Sequence, residues 1–401
     1  MEKPKVVLGV SGGIAAYKAC ELLRRLTESG HDVTVVPTAA SLHFVGAATW
    51  SALSGHPVST EVWNDVHEVP HVRTGQAADL VVVAPATADM LAKAAHGLAD
   101  DLLTNTLLTA RCPVVFAPAM HTEMWEHPAT QENVATLRRR GAVVVEPAVG
   151  RLTGVDTGKG RLPDPAEIFE ICRRVLARGV AAPDLAGRHV VVSAGGTREP
   201  IDPVRYLGNR SSGKQGYALA RTAVARGARV TLVEANTGLP DPAGADVVHV
   251  GTAVQLREAV LKAAADADAV VMAAAVADFR PSAYATGKIK KRDDQADPVI
   301  ELLRNPDILA QLSTERTAPG QVVVGFAAET DDVLANGREK LRRKGCDLLV
   351  VNEVGERKTF GSEENEAVVL AADGGETAVP YGPKEGLADT VWDLVAARFP
   401  E

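Results

Sequence analysis

Residues 4–38, PKVVLGVSGGIAAYKACELLRRLTESGHDVTVVPT, decide the fold class of the first half of the chain. A β-branched run leads into the turn SGG at 11–13, an apolar pattern of period near 3.6 begins at Ile14, and Gly30 precedes a second β-branched run. This pattern predicts a strand, a glycine turn, a helix that begins at Ile14, and a second strand. Such a βαβ unit typically starts a doubly wound parallel sheet.

A second segment repeats this pattern, with an insert between turn and helix. RHVVVSAGGTREP at 188–200 and SSGKQGYALARTAVARGARVTLVEA at 211–235 again indicate strand, turn, helix and strand. The sequence therefore predicts an α/β protein with two doubly wound, Rossmann-like three-layer domains. We place the first domain at 1–172, a linker at 173–186 and the second domain at 187–401, because the linker is rich in Ala, Gly and Pro.

Further strands are expected where short β-branched runs occur. They are expected at 79–84, 113–117, 142–145, 246–250, 268–273, 321–326 and 346–351. Residues near 365–380 predict a hairpin around Asp373-Gly374-Gly375, and a terminal helix is expected at 384–398.

Composition excludes several classes of function. The 401 residues are 46% hydrophobic but only 4% aromatic, as parallel sheets covered by helices require. A net charge of −8 argues against a nucleic-acid or membrane binder. The four cysteines form no CxxC pair, and the N-terminal apolar run is too short for a signal or membrane segment. We therefore expect a cytoplasmic protein.

Small and hydroxyl-bearing residues follow the strands expected in the first half. Two glycines at a helix start can bring backbone N–H groups to an anion, and Thr38 stands where dinucleotide-binding domains carry an acid. Carboxyl ends of parallel strands bind ligands, so a weakly polar slot suited to a flavin is expected there. Its candidate residues are Ser11, Gly12, Gly13, Thr38, Ala86, Thr87, Ala119 and Met120.

Together, GVSGGIAAYK, His71, APATAD, DDLLT and PAM…MW resemble the flavin-dependent cysteine decarboxylases. By itself His71 would be an ordinary surface histidine; the resemblance implies that it is the active-site base and that FMN binds near Ser11, Gly12, Thr38 and Thr87. It also implies decarboxylation of 4′-phosphopantothenoylcysteine to 4′-phosphopantetheine. Oxidation of the thiol to a thioaldehyde would supply the sink for the electrons that CO₂ leaves behind.

Two positions depart from that family's pattern. His121 stands where relatives carry an asparagine that holds the substrate carboxylate, and an imidazole N–H can replace the amide with an added pH dependence. In the glycine-rich flap at 150–162, Gly154 stands where relatives carry a cysteine. The flap is expected to act as a mobile lid.

The second half contains a phosphate-binding pattern that is not a P-loop. GNRSSGKQ at 208–215 lacks the final Ser or Thr and a preceding strand, but Ser211, Ser212 and Gly213 precede a helix and could cradle a phosphate. The run KIKK at 288–291 lies in a long loop, 280–297. It is either a solvated basic loop or a mobile lid over a triphosphate. Asp278 ends a strand and could contact a ribose or Mg²⁺.

AGGTREPIDPVRYLGNRSSGKQG, MAAAVADFRP, KIKK and VGFAAET resemble the phosphopantothenate–cysteine ligases. The resemblance implies that 4′-phosphopantothenate and CTP form an acyl-cytidylate, from which L-cysteine displaces CMP, with Mg²⁺ on the triphosphate. Asn209 would hold the acyl-cytidylate, and Arg205 and Lys288 would stabilise anionic centres. The other implied nucleotide and substrate contacts are Gly195, Gly196, Thr197, Ser211, Ser212, Gly213, Ala274, Asp278, Phe326, Lys340 and Lys344, and Asp278 is also the candidate metal ligand.

The two resemblances predict consecutive steps of coenzyme A biosynthesis in one chain, because the ligase product is the decarboxylase substrate. They also imply a homo-oligomer, a dodecamer in such relatives. A flavin-binding regulatory protein without catalysis is one alternative. A paired-Rossmann NAD(P)-dependent oxidoreductase is another, which the missing GxGxxG motif disfavours.

Overall fold

The computed structural model describes residues 3–58, 70–151, 157–180, 183–290, 299–329, 332–353 and 364–399. The chain forms two compact units, 1–182 and 183–401. In the described ranges, no helix has the length and hydrophobicity that crossing a membrane requires.

The first unit is a five-stranded parallel sheet between helices. The strands run in the order β2-β1-β3-β4-β5, the flavodoxin-like order, with an added antiparallel hairpin of β6 and β7. Its elements are β1 Lys5–Val10, α1 Ala16–Glu28, β2 Asp32–Pro37, a 3₁₀ helix Ala39–His43, α2 Ala47–Ser54, α3 Pro70–Ala77, β3 Leu80–Ala86, α4 Ala88–His96, α5 Leu102–Thr109, β4 Val114–Pro118, α6 Thr122–Glu126, α7 Pro128–Arg139, β5 Val143–Val144, β6 Ala148–Arg151, β7 Thr157–Arg161 and α8 Pro165–Arg178.

Burial on both faces explains why these strands are continuous apolar runs. Val6 and Leu8 pack with residues of α1 and α8, whereas Val7 faces α4, α5 and α7. All seven residues of β3 are buried, as expected of a central parallel strand. The predicted flavodoxin-like domain is confirmed.

The second unit is an eight-stranded sheet whose first six strands are parallel. The order is β12-β11-β8-β13-β16-β17-β18-β19, and the parallel part has the Rossmann order 3-2-1-4-5-6. Its elements are β8 His189–Gly195, β9 Arg198–Pro200, β10 Tyr206–Gly208, α9 Lys214–Ala225, β11 Arg229–Ala235, β12 Ala245–Val250, α10 Ala253–Ala264, β13 Ala269–Met272, β14 Phe279–Pro281, β15 Leu302–Arg304, α11 Ile308–Thr314, β16 Val322–Glu329, α12 Val333–Lys344, β17 Leu348–Glu353, β18 Glu364–Ala371, β19 Glu376–Pro383 and α13 Lys384–Ala396. The hairpin of β18 and β19 turns at 372–375, as predicted.

The structure corrects two element boundaries. Residues 173–178, assigned above to the linker, form the end of α8, because Val175 is buried in the core of the first unit. Helix α1 begins at Ala16 rather than Ile14, since Gly13 accepts a hydrogen bond from Ala16 N–H in a preceding turn.

The expected long loop is also partly ordered. β14 pairs with β15, and Ser282 N–H donates to Glu301 O. Residues 291–298, which include Lys291 of the KIKK run, lie outside the described ranges.

Two glycines at the third position of a helix give a matched test of packing. A Cβ on Gly216 would lie 2.5 Å from Ala194 Cβ on β8, whereas one on Gly386 would have no heavy atom within 4 Å. We expect Gly216→Ala to destabilise the protein by about 1–3 kcal/mol through overpacking. Gly386→Ala should stabilise it by up to about 1 kcal/mol, through helix propensity. Urea unfolding measures both, and equal effects would contradict the close packing of α9 on β8.

Candidate active sites of the two units

In the first unit, a buried hydroxyl joins the turns after β1 and β3. Ser11 Oγ donates to Pro85 O at 2.7 Å and accepts from Thr87 N–H at 3.0 Å. These strands are adjacent, and the strand order reverses between them, which is where such sheets bind ligands. Ser11 therefore shapes the site through the neighbouring turn.

The glycine turn leaves backbone donors at the start of α1. A Cβ on Gly12 would lie 2.5 Å from Ala40 Cβ, so only glycine fits against the 3₁₀ helix that Thr38 caps. The N–H groups at 12–15 make no hydrogen bond to another described residue. Ile14 and Tyr17 are exposed beside them. Open N–H donors next to exposed apolar side chains fit a phosphate-bearing aromatic cofactor such as FMN.

The stretch PAMHTEMW at 118–125 packs against the hairpin of β6 and β7. Met120 N–H donates to Gly160 O at 2.9 Å, and a Cβ on Gly160 would lie 2.3 Å from Met120 O. Trp125 is buried in the core, but His121 is exposed at the start of α6 and its side chain makes no capping hydrogen bond. His121 is therefore open to a ligand, whereas Gly154 of the flap lies outside the described residues.

His71 lies on α3 and packs beside α5. Its main-chain oxygen accepts a hydrogen bond from Thr109 Oγ1 at 2.8 Å. Its Nδ1 is buried and has no hydrogen-bond partner among the described residues. A buried polar atom without a partner is rare in a folded protein, so a ligand or another chain is the expected partner.

In the second unit, five of the residues implied by the resemblance line one pocket of about 180 Å³. They come from the start of α9 and from the carboxyl ends of β13 and β16. These residues are Ser211, Ser212, Gly213, Ala274 and Phe326.

The glycine turn after β8 is hydrogen-bonded to Ala275, which lines the pocket. Thr197 is fully buried, and its Oγ1 accepts a hydrogen bond from Ala277 N–H at 2.9 Å. A Cβ on Gly195 would lie 2.1 Å from Ala235 O. Asn209, directly after β10, donates through Nδ2 to Val276 O at 3.0 Å. Thr197 and Gly195 therefore join the strand ends, while Asn209 is exposed and does not line the pocket.

Asp202 anchors the lysine-bearing segment. Its carboxylate accepts hydrogen bonds from Ile289 N–H at 3.1 Å and from the Arg205 guanidinium at 2.6 Å, and Arg205 also donates to Ile289 O. Burial acts to raise the pKa of Asp202, but the main-chain N–H donors and Arg205 outweigh it and lower the pKa to about 2. In this segment Ala285 N–H also donates to Ile201 O at 3.0 Å, so the described part of the long loop is hydrogen-bonded to the turn at 201–205 at two points. Lys288 is exposed on this segment.

Other residues implied by the resemblance lie outside the pocket lining. Lys344 pairs with Asp307 at the start of α11, and neither Lys344 nor Lys340 lines the pocket. Asp278, expected to end a strand, is exposed directly before β14 and six residues after the end of β13. In the described ranges no three His, Cys, Asp or Glu side chains come together as metal ligands, so Asp278 could hold Mg²⁺ only together with ligand oxygens.

Sequence reasoning missed six polar residues that also line the pocket. These are Arg210, Lys214, Gln215, Asn352, Asn365 and Lys384. The two asparagines and Lys384 belong to the last strands and helix, far along the chain from the glycine turns. Asn352 could have been found from the sequence, because it is the polar residue directly after the strand expected at 346–351.

Fold and sites together define a class: a two-domain, doubly wound protein with a ligand site at each switch point. The family model described as "Flavoprotein" matches residues 1–177, and that described as "DNA/pantothenate metabolism flavoprotein C-terminal domain" matches 185–399. The chain is 62% identical over 402 residues to the coenzyme A biosynthesis bifunctional protein CoaBC of Mycobacterium tuberculosis, covering 98% of this chain and 96% of that one. The chain therefore belongs to the family of coenzyme A biosynthesis bifunctional proteins.

More distant relatives bear the same name. The bifunctional protein of Vibrio vulnificus is 43% identical over 387 residues, which cover 96% of this chain and 95% of that one. These relatives confirm the prediction of an enzyme with a decarboxylase and a ligase half.

Solved structures resemble each half separately. A C-terminal domain of CoaBC is 35% identical, with a TM-score of 0.46, and covers 54% of this chain and 97% of its own. A PPC decarboxylase variant complexed with pantothenoylaminoethenethiol is 33% identical, with a TM-score of 0.40, and covers 43% of this chain and 97% of its own. The family assignment rests on the sequence relatives.

The anchoring of residues 282–290 by Asp202 can be tested by proteolysis. Asp202→Asn would present an NH₂ group to N–H donors and would lose at least one charge-assisted hydrogen bond. Trypsin should therefore cleave after Lys288 or Lys290 at least about tenfold faster, the factor that corresponds to the free energy of one such bond. Asp246→Asn, at an exposed position on β12, is the control. Because the folded pKa of Asp202 is depressed to about 2, its stabilisation is complete above about pH 4 and is lost as pH falls towards 2. Equal cleavage of both variants would show that Asp202 is not the anchor.

Proposed function

We propose that the second unit joins L-cysteine to 4′-phosphopantothenate with CTP, and that the first unit decarboxylates the product to 4′-phosphopantetheine with FMN. The observation that supports this pairing is the presence, in one chain of this family, of two switch-point sites with different linings. The first site combines backbone N–H donors with exposed apolar side chains, whereas the second is a small pocket lined by Ala and Gly residues together with basic and amide side chains.

In the first unit, the start of α1 would hold the flavin phosphate or ring edge through the N–H groups at 12–15, with Thr38 and Thr87 beside it. When bound, FMN supplies reversible two-electron oxidation of the substrate thiol, which makes loss of CO₂ possible. The turns at 86–87 and 119–120 meet at this edge, where Ala119 N–H donates to Ala86 O at 3.0 Å. They would form the rest of the cofactor wall.

His71 and His121 would handle the substrate. His71 would act as the base that takes the thiol proton, since imidazoles exchange protons near neutral pH. Its buried, unpartnered Nδ1 supports this role, because a ligand or a second subunit would supply the missing partner. His121, exposed and free of capping bonds, would donate an N–H to the substrate carboxylate.

In the second unit, the reaction moves negative charge twice. The carboxylate of phosphopantothenate would attack the α-phosphate of CTP and release pyrophosphate, and the cysteine amine would then displace CMP. Lys288, held in place through Asp202, and Arg205 would stabilise the anionic oxygens. Asn209 would hold the acyl-cytidylate, and Mg²⁺ would accompany the triphosphate, with Asp278 as its nearest candidate ligand.

Exposed apolar side chains support a homo-oligomer. The neighbouring hairpins β9–β10 and β14–β15 expose six large residues: Val204, Tyr206, Leu207, Phe279, Leu302 and Leu303. Contiguous apolar surface of this kind typically marks a protein interface. A dodecamer and a cytoplasmic location complete the proposal.

Reciprocal variants separate the two activities. With phosphopantothenate, L-cysteine, CTP and Mg²⁺, wild-type protein should release pyrophosphate and CO₂. His71→Gln should lower CO₂ release more than about 100-fold, the usual contribution of a general base, and leave pyrophosphate release unchanged. Asn209→Ala should lower pyrophosphate release, while decarboxylation of supplied phosphopantothenoylcysteine continues.

The flavin spectrum controls for misfolding, since His71→Gln should stay yellow. A yellow wild-type protein that releases no CO₂ would instead indicate a flavin-binding regulator. A colourless protein that does not take up FMN would disprove the proposal for the first unit.

A further pair tests His121 as the carboxylate clamp. His121→Asn should keep activity, because the amide N–H can donate to the same carboxylate. His121→Ala should lower kcat/KM about 10- to 100-fold, the loss of a hydrogen bond to a charged group. Glu123→Gln, at an exposed position on α6, is the control. Full activity in both His121 variants would show that the clamp lies elsewhere.

A further inference from the structure

One side-chain amide in the second unit joins the carboxyl ends of three adjacent strands. Asn236 directly follows β11, which lies between β8 and β12 in the sheet. Its Nδ2 donates to Gly196 O at 2.9 Å, in the turn after β8, and to Gly251 O at 2.8 Å, in the turn after β12. Because both partners are carbonyl oxygens, they require the NH₂ group of the amide and use both of its N–H groups.

The backbone of Asn236 has an unusual conformation. Its φ is +54°, and within the described ranges only one other non-glycine residue has a positive φ. Asparagine is among the few residues that adopt this conformation readily, and uncommon backbone conformations collect at functional sites. The position therefore requires a residue that tolerates a positive φ and also carries two side-chain donors.

The next residue, Thr237, packs against the two glycine turns beside the pocket. A Cβ on Gly195 or on Gly213 would lie 2.7 or 2.5 Å from Thr237 Cγ2. Thr237 is itself held by Glu234 Oε2, which accepts its N–H at 2.9 Å and its hydroxyl at 2.7 Å. The other oxygen of Glu234 lies 2.5 Å from His249 Nδ1.

These contacts define what the end of β11 does. In dinucleotide-binding Rossmann domains, an acidic residue at the end of the second strand binds a ribose. Glu234 occupies that region of β11, but it is only 6% exposed and both of its oxygens are used inside the protein. The end of β11 therefore holds the neighbouring turns instead of a ribose.

The turn at 195–197 transmits the position of Asn236 to the pocket. Gly195 O accepts from Ala275 N–H at 2.8 Å, and Thr197 N–H donates to Ala275 O at 3.2 Å. Ala275 lines the pocket, whereas Asn236 does not. The turn is thus held between the Asn236 amide on one side and a residue of the pocket lining on the other.

We propose that Asn236 is a positioning residue of the ligase reaction. Its amide holds the turn at 195–197 in the place where the turn and Ala275 receive the ligand, and Asn236 itself does not touch the ligand. This proposal rests on the ligase function proposed above.

The test uses the full-length protein and measures kcat and KM for pyrophosphate release, with phosphopantothenate and CTP varied separately. Asn236→Asp keeps the size of the side chain but places a carboxylate against two carbonyl oxygens, so the turn should move. We expect kcat/KM to fall about 10- to 100-fold, as for reactants misplaced by about 1 Å, with most of the loss in kcat. Lys262→Gln, at an exposed position on α10, makes the same change in net charge and is the control.

Asn236→Gly separates the amide from the backbone conformation, because glycine adopts a positive φ freely. It should lower kcat/KM by about 3- to 10-fold, the loss of neutral hydrogen bonds. If Asn236→Asp does not fold, this variant decides the question.

Urea unfolding distinguishes positioning from a structural role. A residue that only stabilises the fold would lower the urea midpoint and leave kcat and KM of the folded protein unchanged, and that result would overturn the proposal. Wild-type turnover would in that case leave the ligase function intact. A wild-type protein that releases no pyrophosphate would instead refute the ligase function, and the role of Asn236 with it.

Discussion

Both units depend on buried hydroxyl groups that join strand ends across the switch point. Ser11 bonds to Pro85 O and Thr87 N–H between β1 and β3, and Thr197 Oγ1 accepts Ala277 N–H between β8 and β13. A buried N–H without a partner costs about 1–3 kcal/mol, so these bonds hold the turns where strands diverge. Strand ends that diverge in this way are where such sheets bind ligands.

The second unit places its cations by two different constraints. Lys288 lies on a segment tied to Asp202 by a main-chain hydrogen bond, whereas the aliphatic stem of Lys384 is buried. An anchored backbone leaves an exposed side chain free to reach a ligand, while burial fixes an ammonium in one place.

Glycines in the first unit determine how closely the hairpin of β6 and β7 approaches PAMHTEMW. At Gly158 and Gly160 a Cβ would lie 2.2 Å from Thr122 Oγ1 and 2.3 Å from Met120 O. The hairpin therefore lies on the main chain of Met120 and His121 and on the side chain of Thr122. In the proposed mechanism, His121 is therefore the residue that contacts the hairpin with its main chain and the substrate with its side chain.

The sequence by itself determined the elements whose signals are local. Periodicity and glycine turns predicted both doubly wound sheets, the hairpin at Asp373-Gly374-Gly375 and the glycine turn at the start of α9, because neighbouring residues encode them. Tertiary structure alone decided that Trp125 is core, that Asp202 holds the segment of Lys288, and that Asn352, Asn365 and Lys384 complete the pocket. These contacts join residues far apart in the chain, up to 169 positions for Gln215 and Lys384. No local sequence pattern predicts these contacts, because they form only when β17 and β18 join the sheet and α13 packs on it.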